Sequence, residues 1–435
     1  MTPSVLALTL PSPPILIGAA LLGAIVMLVA GADLKTLGTW GLVGGWFLFA
    51  LSSPTAEFPV ILRPLGLQLA FMGAVILRFG DPILAKVEER VVPLPVKLLF
   101  VYLAFVFLGC VASPLGPKNV IRWAQGLILI MAVFYAVSLG LARALLASTF
   151  FASLANVILT IKSGTGEILA NGQQTGRLSG YMQPNHLAFA CAIVIIGAVW
   201  WGHAEPRYRF PLAVASVIAG YALFASESRT ALMALIAALG AAGVATFIGF
   251  GRRGKFVAYS LVLVLVLAPL VLPAFGTWFN RDDSESSITS LTGRTDFWPL
   301  AVDLIQERPV IGWGVNVIGS PVGEPFQKVL PGVSQAHNAY LEAALQSGYP
   351  GAIAWGLSLI GVMVGSFKLK KDDPYRFLLI CGAILTQIFA FTESGPAWFG
   401  DMFIVYVLTV AIYADQRVRQ DRPAPDRELA DVGAA

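Results

Sequence analysis

Long apolar runs, separated by short polar stretches, recur from one end of the chain to the other. They fall at 14–30, 36–52, 60–78, 94–113, 122–140, 143–161, 185–202, 209–225, 229–250, 256–274, 349–367, 375–393 and 398–413. Most are about 17 residues or longer, enough for a helix to cross ~30 Å of hydrocarbon. No period-two alternation repeats as a barrel requires, so the spanning elements are expected to be helices. The pattern predicts an all-α, polytopic helical membrane protein with about 12 transmembrane helices and one long outer loop containing short helices.

That loop is the main interruption of the pattern, over 275–348. Its Asp/Ser-rich opening, "RDDSESS", reads as a flexible connection. Beyond it Trp298, Val302 and Ile305 recur at helical spacing, which predicts a short amphipathic helix over 295–307 lying on the membrane surface. A second helix is expected at 335–347, with Ser334 as N-cap and with Gly348 and Pro350 as stop signals. The expected organisation is a helical bundle over 1–274, the loop over 275–348, C-terminal spans over 349–415 and a tail over 416–435.

Composition agrees with the pattern. The chain of 435 residues is 57% hydrophobic and 12% charged, with mean hydropathy +0.76; soluble chains carry roughly twice that charge fraction. The net charge of +4 is distributed in short clusters, "GRRGK", "KLKKDDPYR" and "DQRVRQDR". Such clusters beside spans set orientation and place these three loops in the cytoplasm; they do not form a nucleic-acid surface. By alternation Lys86, Arg90, Arg143, Arg207 and Arg209 fall on the same side, and the 275–348 segment on the other. Cys110, Cys191 and Cys381 all sit inside apolar runs without ligand spacing, so neither a disulfide framework nor a zinc site is indicated. The apolar 14–30 segment has no basic stretch before it and reads as a retained span.

Four polar blocks reach the outer face by this topology: "GRLSGYMQPNHLAF" with Arg177, Asn185 and His186; "SESRTAL" with Glu227 and Arg229; "GRTDFW" with Arg294; and "SQAHNAYLEAALQSGYPG" with Gln335, His337 and Asn338. Each has an ordinary structural reading. Arg229 can snorkel to the interface, Arg177 can be a solvated loop charge, Asn185 can cap the helix after Pro184, and His337 can be a core residue. Arg294 is harder to explain, because a cation is not favoured where a helix begins. The acidic "RDDSE" run has no second ligand cluster beside it and reads as solvated, so no metal or other cofactor is expected.

Several outward arginines with almost no outward lysines suit bidentate binding of a lipid-anchored phosphate or diphosphate. A neutral imidazole among them can take a proton from an attacking hydroxyl. Group transfer from a lipid diphosphate to a hydroxyl is therefore the first reading. A transporter of anionic lipid-linked glycan is the rival, but it should hold polar groups at mid-bilayer, where these spans carry almost none.

The block His337-Asn338, followed by the nine residues "AYLEAALQS" and then "GYPG", resembles a motif of the bacterial O-antigen ligases. These belong to the wider superfamily of O-antigen ligases, polymerases and protein O-oligosaccharyltransferases. "GRTDFW", "QPNHLA" and "SRTAL" resemble the family's other recurring blocks, with Met233 standing where the family carries a leucine. The resemblance implies a metal-independent, inverting glycosyltransferase of the inner membrane, with its active site facing the periplasm across a periplasmic loop. Its donor would be an undecaprenyl-diphosphate-linked glycan and its acceptor a sugar hydroxyl of lipid A–core, within a shell of membrane lipids and without nucleic acid. By position, His337 would be the catalytic base and Arg229 and Arg294 the diphosphate binders, with Arg177, Asn185, Gln335 and Asn338 as supporting substrate contacts. A polymerase or protein-glycosylating relative would use the same donor.

Overall fold

The computed structural model describes residues 34–51, 69–71, 73–74, 92–168, 174–179, 181–247, 294–329, 335–397 and 401–421. In chain order the described helices are α1 (Leu34–Leu51), α2 (Leu94–Ala112), α3 (Pro117–Ser138), α4 (Ala142–Ser163), α5 (Pro184–Ala204), α6 (Arg209–Ala225) and α7 (Arg229–Phe247). They continue as α8 (Arg294–Glu307), α9 (Glu324–Val329), α10 (Ala339–Lys368), α11 (Arg376–Thr392) and α12 (Asp401–Asp421). Among the described residues seven helices are long and apolar enough to span a membrane, and two apolar stretches, Gly38–Leu51 and Arg376–Thr392, are shorter. The chain is a multi-pass membrane protein. The predicted spans at 14–30 and 256–274 lie outside the described residues, as does most of 60–78.

Two apolar cores share α11 and α12. One gathers Trp46, Leu99, Tyr102, Val133, Trp355 and Tyr406 from α1, α2, α3, α10 and α12. The other gathers Phe150, Phe189, Leu223, Leu235 and Phe389 from α4 to α7 and α11. Such all-round apolar helices bury one side against neighbours and leave the rest, including Phe210, Val217 and Ile353, for lipid.

The described part of the loop builds a core of its own. Within 294–345, Ala301, Ile305, Trp313, Ile318 and Phe326 close with Leu345 of α10 into a third small core. The amphipathic face of α8, predicted for the membrane surface, is turned into this cap: Ile305 is buried and Trp298 packs against the same cluster.

How the cap is fastened follows from a break in α10. Gly348 has φ 71 and ψ 179, a conformation open to glycine but not to residues with a Cβ. The break and Pro350, which has no N–H to give, strip carbonyls of their helical partners. Irregular backbone from the cap supplies new ones: Trp313 N–H donates to the Leu345 carbonyl (2.8 Å) and Gly314 N–H to the Gln346 carbonyl (3.0 Å), while in return Tyr349 N–H donates to the Pro309 carbonyl (2.7 Å). Arg308 closes the junction from the α2 side, donating to the Ala112 carbonyl (2.7 Å) with its guanidinium over the Trp313 ring.

The junction leaves no room at Gly109 of α2, where a Cβ would lie 2.6 Å from the carbonyl oxygens of both Gln346 and Ile311. Gly109→Val is expected to destabilise the protein by about 2 kcal/mol or more, because backbone cannot move aside as a side chain can. Thermal unfolding in detergent checks this. Gly220→Ala in α6, where a Cβ meets nothing within 4 Å, should leave the transition unchanged or raise it.

Two features differ from the sequence expectation. The segment after α4 contains a two-stranded antiparallel ribbon, β1 (Thr165–Ile168) and β2 (Gln174–Ser179), pairing Thr165 with Ser179 and Ile168 with Gln174. The all-α expectation therefore holds for the bundle but not for this excursion. The second loop helix starts at Ala339 rather than 335, capped by Asn338, whose Oδ1 accepts from the N–H groups of Tyr340 (3.0 Å) and Leu341 (3.1 Å). Ser334, the predicted cap, lies outside the described residues.

Candidate functional site

The residues just before α10 are pinned from three sides. Ala336 N–H donates to Oε2 of the fully buried Glu342 (3.0 Å), and its carbonyl accepts from the Trp298 indole of α8 (3.1 Å). Asn338 N–H donates to Ser394 Oγ (3.3 Å) and its side-chain amide to the Phe391 carbonyl (3.4 Å), tying the segment to the end of α11. Glu342 Oε1 also accepts from Gln346 Nε2 (3.2 Å), and Gln346 in turn lies 3.1 Å from the Tyr102 hydroxyl of α2.

Between these two pinned peptides stands His337, with φ 48. A non-glycine residue in left-handed backbone costs of order 1 kcal/mol and persists only where its surroundings over-determine it. Its imidazole is one-quarter exposed, and Nδ1 lies 3.2 Å from Oε2 of Glu393, whose side chain is only 4% exposed. A donor at Nδ1 toward that carboxylate fixes the orientation of the ring, and in a neutral imidazole it places the lone pair on Nε2.

Glu393 links His337 to the first polar block. Its Oε1 accepts from Asn185 Nδ2 (2.7 Å), and Asn185 Oδ1 accepts from Arg177 Nη2 (3.1 Å). Arg177 Nε donates to the Ser226 carbonyl (2.9 Å) at the turn before α7. Asn185 is therefore not the helix cap it resembles: α5 is capped at Gln183, without a side-chain bond, and the Asn185 amide is used sideways. The same turn contains Glu227 with φ 50, so two of the three non-glycine residues with positive φ among the described residues flank this network.

The structure thus brings Arg177, Asn185, His337 and Asn338 together from β2, the start of α5 and the approach to α10. Gln335 is half-buried two residues before His337. Arg229 is half-buried and opens α7, three residues after the carbonyl that Arg177 holds. Arg294 opens α8, and only its backbone is among the described features. Both arginines stand where the helix dipole disfavours a cation. Sequence reasoning missed Glu393 and gave Glu342 no role. Glu393 had a signal: it is the lone acidic residue between Asp373 and Asp401, in "FTESGP" at the outer end of a span. Among the described residues no group of three or more His, Cys, Asp and Glu comes together as a metal would need.

Residues 213–356, from α6 through the cap to the first half of α10, match the family model described as O-antigen ligase. The likeness to that family is confined to this span of the chain. The family segment carries Arg229, Arg294, Gln335, His337, Asn338 and Glu342, whereas Arg177, Asn185 and Glu393 lie outside it. Among curated proteins, the chain is 27% identical over 242 residues to the exopolysaccharide production protein ExoQ of Rhizobium meliloti (strain 1021). That match covers 48% of this chain and 49% of the relative, so the chain spans about half the length of the curated relative it matches. A chain from a structure titled "Structural coordination of polymerization and crosslinking by a peptidoglycan synthase complex" superposes with a TM-score of 0.38 at 15% identity, covering 75% of this chain and 98% of that one.

Proposed function

We propose that this protein, similar over 213–356 to the O-antigen ligases, is an inverting glycosyltransferase of the bacterial inner membrane. It moves a glycan from undecaprenyl diphosphate to a sugar hydroxyl of lipid A–core in the periplasmic leaflet. The observation that carries the reading is the His337–Glu393 pair, an imidazole whose Nδ1 is engaged by a buried carboxylate, the arrangement that suits a histidine to act as a base.

In the proposed step the acceptor oxygen attacks the anomeric carbon and the bond from that carbon to the diphosphate oxygen breaks. The hydroxyl proton passes to His337 Nε2, and undecaprenyl diphosphate departs with the bonding electron pair. Attack opposite the leaving group inverts the anomeric centre. Arg229 and Arg294, at the positive ends of α7 and α8, neutralise the charge that grows on the diphosphate. Gln335 and Asn338 flank the base, Asn338 by setting the start of α10.

The relative named for exopolysaccharide production favours a second acceptor, a growing lipid-linked glycan, which would make the protein a polymerase using the same donor. One assay separates the two. Purified protein in detergent receives undecaprenyl-diphosphate-linked glycan with either lipid A–core or a second lipid-linked repeat, with and without EDTA. Transfer to lipid A–core that persists in EDTA is the expected result. Transfer only to the second repeat establishes the polymerase, and no transfer in either arm overturns both readings.

A further inference from the structure

Glu393 lies outside the family segment, yet it touches the one residue on which the proposed chemistry turns. Both of its oxygens are engaged, Oε2 with His337 Nδ1 and Oε1 with Asn185 Nδ2. Asn185 is gripped from behind by Arg177, and Arg177 is itself fixed to the Ser226 carbonyl. The four side chains come from the approach to α10, the turn after α11, the start of α5 and β2. Each hydrogen bond has donor facing acceptor, and the donors converge on the Glu393 carboxylate, from Arg177 through Asn185 on one side and from the His337 Nδ1–H on the other.

We propose that Glu393 is the positioning residue of this site, and that Arg177 and Asn185 act through it rather than by gripping the donor. The inference deepens the transferase reading above and rests on it for the chemistry. A carboxylate with so little exposure is costly unless compensated. The Asn185 amide supplies a direct donor, and the Arg177 guanidinium one bond further back supplies positive charge. Held this way, Glu393 fixes Nδ1–H on the ring, which in the neutral imidazole assigns the lone pair to Nε2. When the acceptor proton arrives on Nε2, the imidazolium formed faces a carboxylate already in place. Arg177 has Nε and Nη2 committed to Ser226 and Asn185, which is the posture of a brace.

The two parts of the proposal are read separately. Full-length protein labelled with ¹⁵N-histidine contains only His186, His203 and His337, and in micelles at alkaline pH the neutral tautomers are resolved. The His337 ring is expected to be Nδ1–H in wild type and in Glu393→Asp, and to move toward Nε2–H in Glu393→Met, with the His203 signal unchanged as the control on folding. An unchanged His337 ring in Glu393→Met overturns the proposal whether or not the protein transfers glycan.

Kinetics give the second reading. Glu393→Met should lower kcat by about 10- to 10³-fold with donor KM within about threefold, and Glu393→Asp should recover part of it. In a His337→Ala background the same change should cost nothing further, as expected of residues acting as a unit. Arg177→Met should lower kcat and spare KM; a tenfold rise in donor KM with kcat intact would make Arg177 a donor grip and overturn that part. Should Glu393→Met fail to fold, Asn185→Leu removes the other contact of the same carboxylate, and unchanged kcat there counts against the relay. Loss of activity in His337→Ala with full activity in Glu393→Met would leave the transferase reading standing and remove this one.

Discussion

Replacing His337 by alanine is expected to lower the rate of glycan transfer by about 10²- to 10⁴-fold, the usual worth of a positioned general base. Donor affinity should be retained, because the diphosphate contacts are assigned to Arg229 and Arg294 on other helices. Alanine alone leaves an ambiguity, since His337 sits at φ 48 and alanine tolerates that conformation poorly. Asparagine removes it, being enriched in left-handed backbone and able to donate to Glu393 while having no lone-pair nitrogen to take a proton. His337→Asn should therefore fold as wild type and be as inactive as the alanine variant. Steady-state transfer with purified substrates, alongside donor binding, measures this. Activity restored by asparagine would mean that the ring orients the acceptor without accepting its proton.

Glu342→Ala is expected to be the most destabilising single change near the site, by about 3–5 kcal/mol. Its carboxylate is fully buried and accepts from Ala336 N–H and from the Gln346 amide. Truncation leaves two buried donors without their acceptor and opens a cavity beneath the strained His337 peptide. Gln346 would also lose the contact that steadies it against Tyr102. The change should lower the unfolding midpoint in detergent and lower transfer even below that midpoint, since Ala336 is one of the two peptides that fix the His337 backbone. Glu342→Gln keeps one oxygen acceptor and should show a fraction of both effects. If Glu342→Ala melts as wild type and transfers as wild type, the buttress does not hold the histidine.

Much of this arrangement is legible in the sequence, and the parts that are not have physical reasons. The apolar runs locate α2 to α7 closely, because a span must be long and uniformly apolar whatever its partners. The polar blocks with Arg177, Asn185 and His337 stand out because each costs energy where it sits. Glu393 is not legible because its partner is 56 residues away, and nothing in "FTESGP" states that a carboxylate meets an imidazole. The capping reading of Asn185 fails for a related reason: asparagine after a proline is a good local cap, and a distant carboxylate outcompetes the local N–H groups. Asn171-Gly172 is a hairpin signal, but strands as short as β1 and β2 carry too few residues for a period-two pattern to stand out from the apolar runs on either side. The burial of α8 could not be told from its periodicity, since an amphipathic helix looks the same whether it faces lipid or a folded cap.

The fastening of the cap to the break in α10 bears on how the chain is made. Leu345, Gln346 and Ser347 are buried, so the carbonyls freed at Gly348 have no water to turn to. Their partners, Trp313 and Gly314, precede them in the chain and have therefore left the ribosome before α10 begins to form. The loop is synthesised ahead of the helix it completes, and α10 can take up its broken shape only when that loop is already waiting beside it. Biogenesis of this span is thus a docking event between two pieces of one chain, and the order of the pieces along the sequence is part of what makes the break admissible.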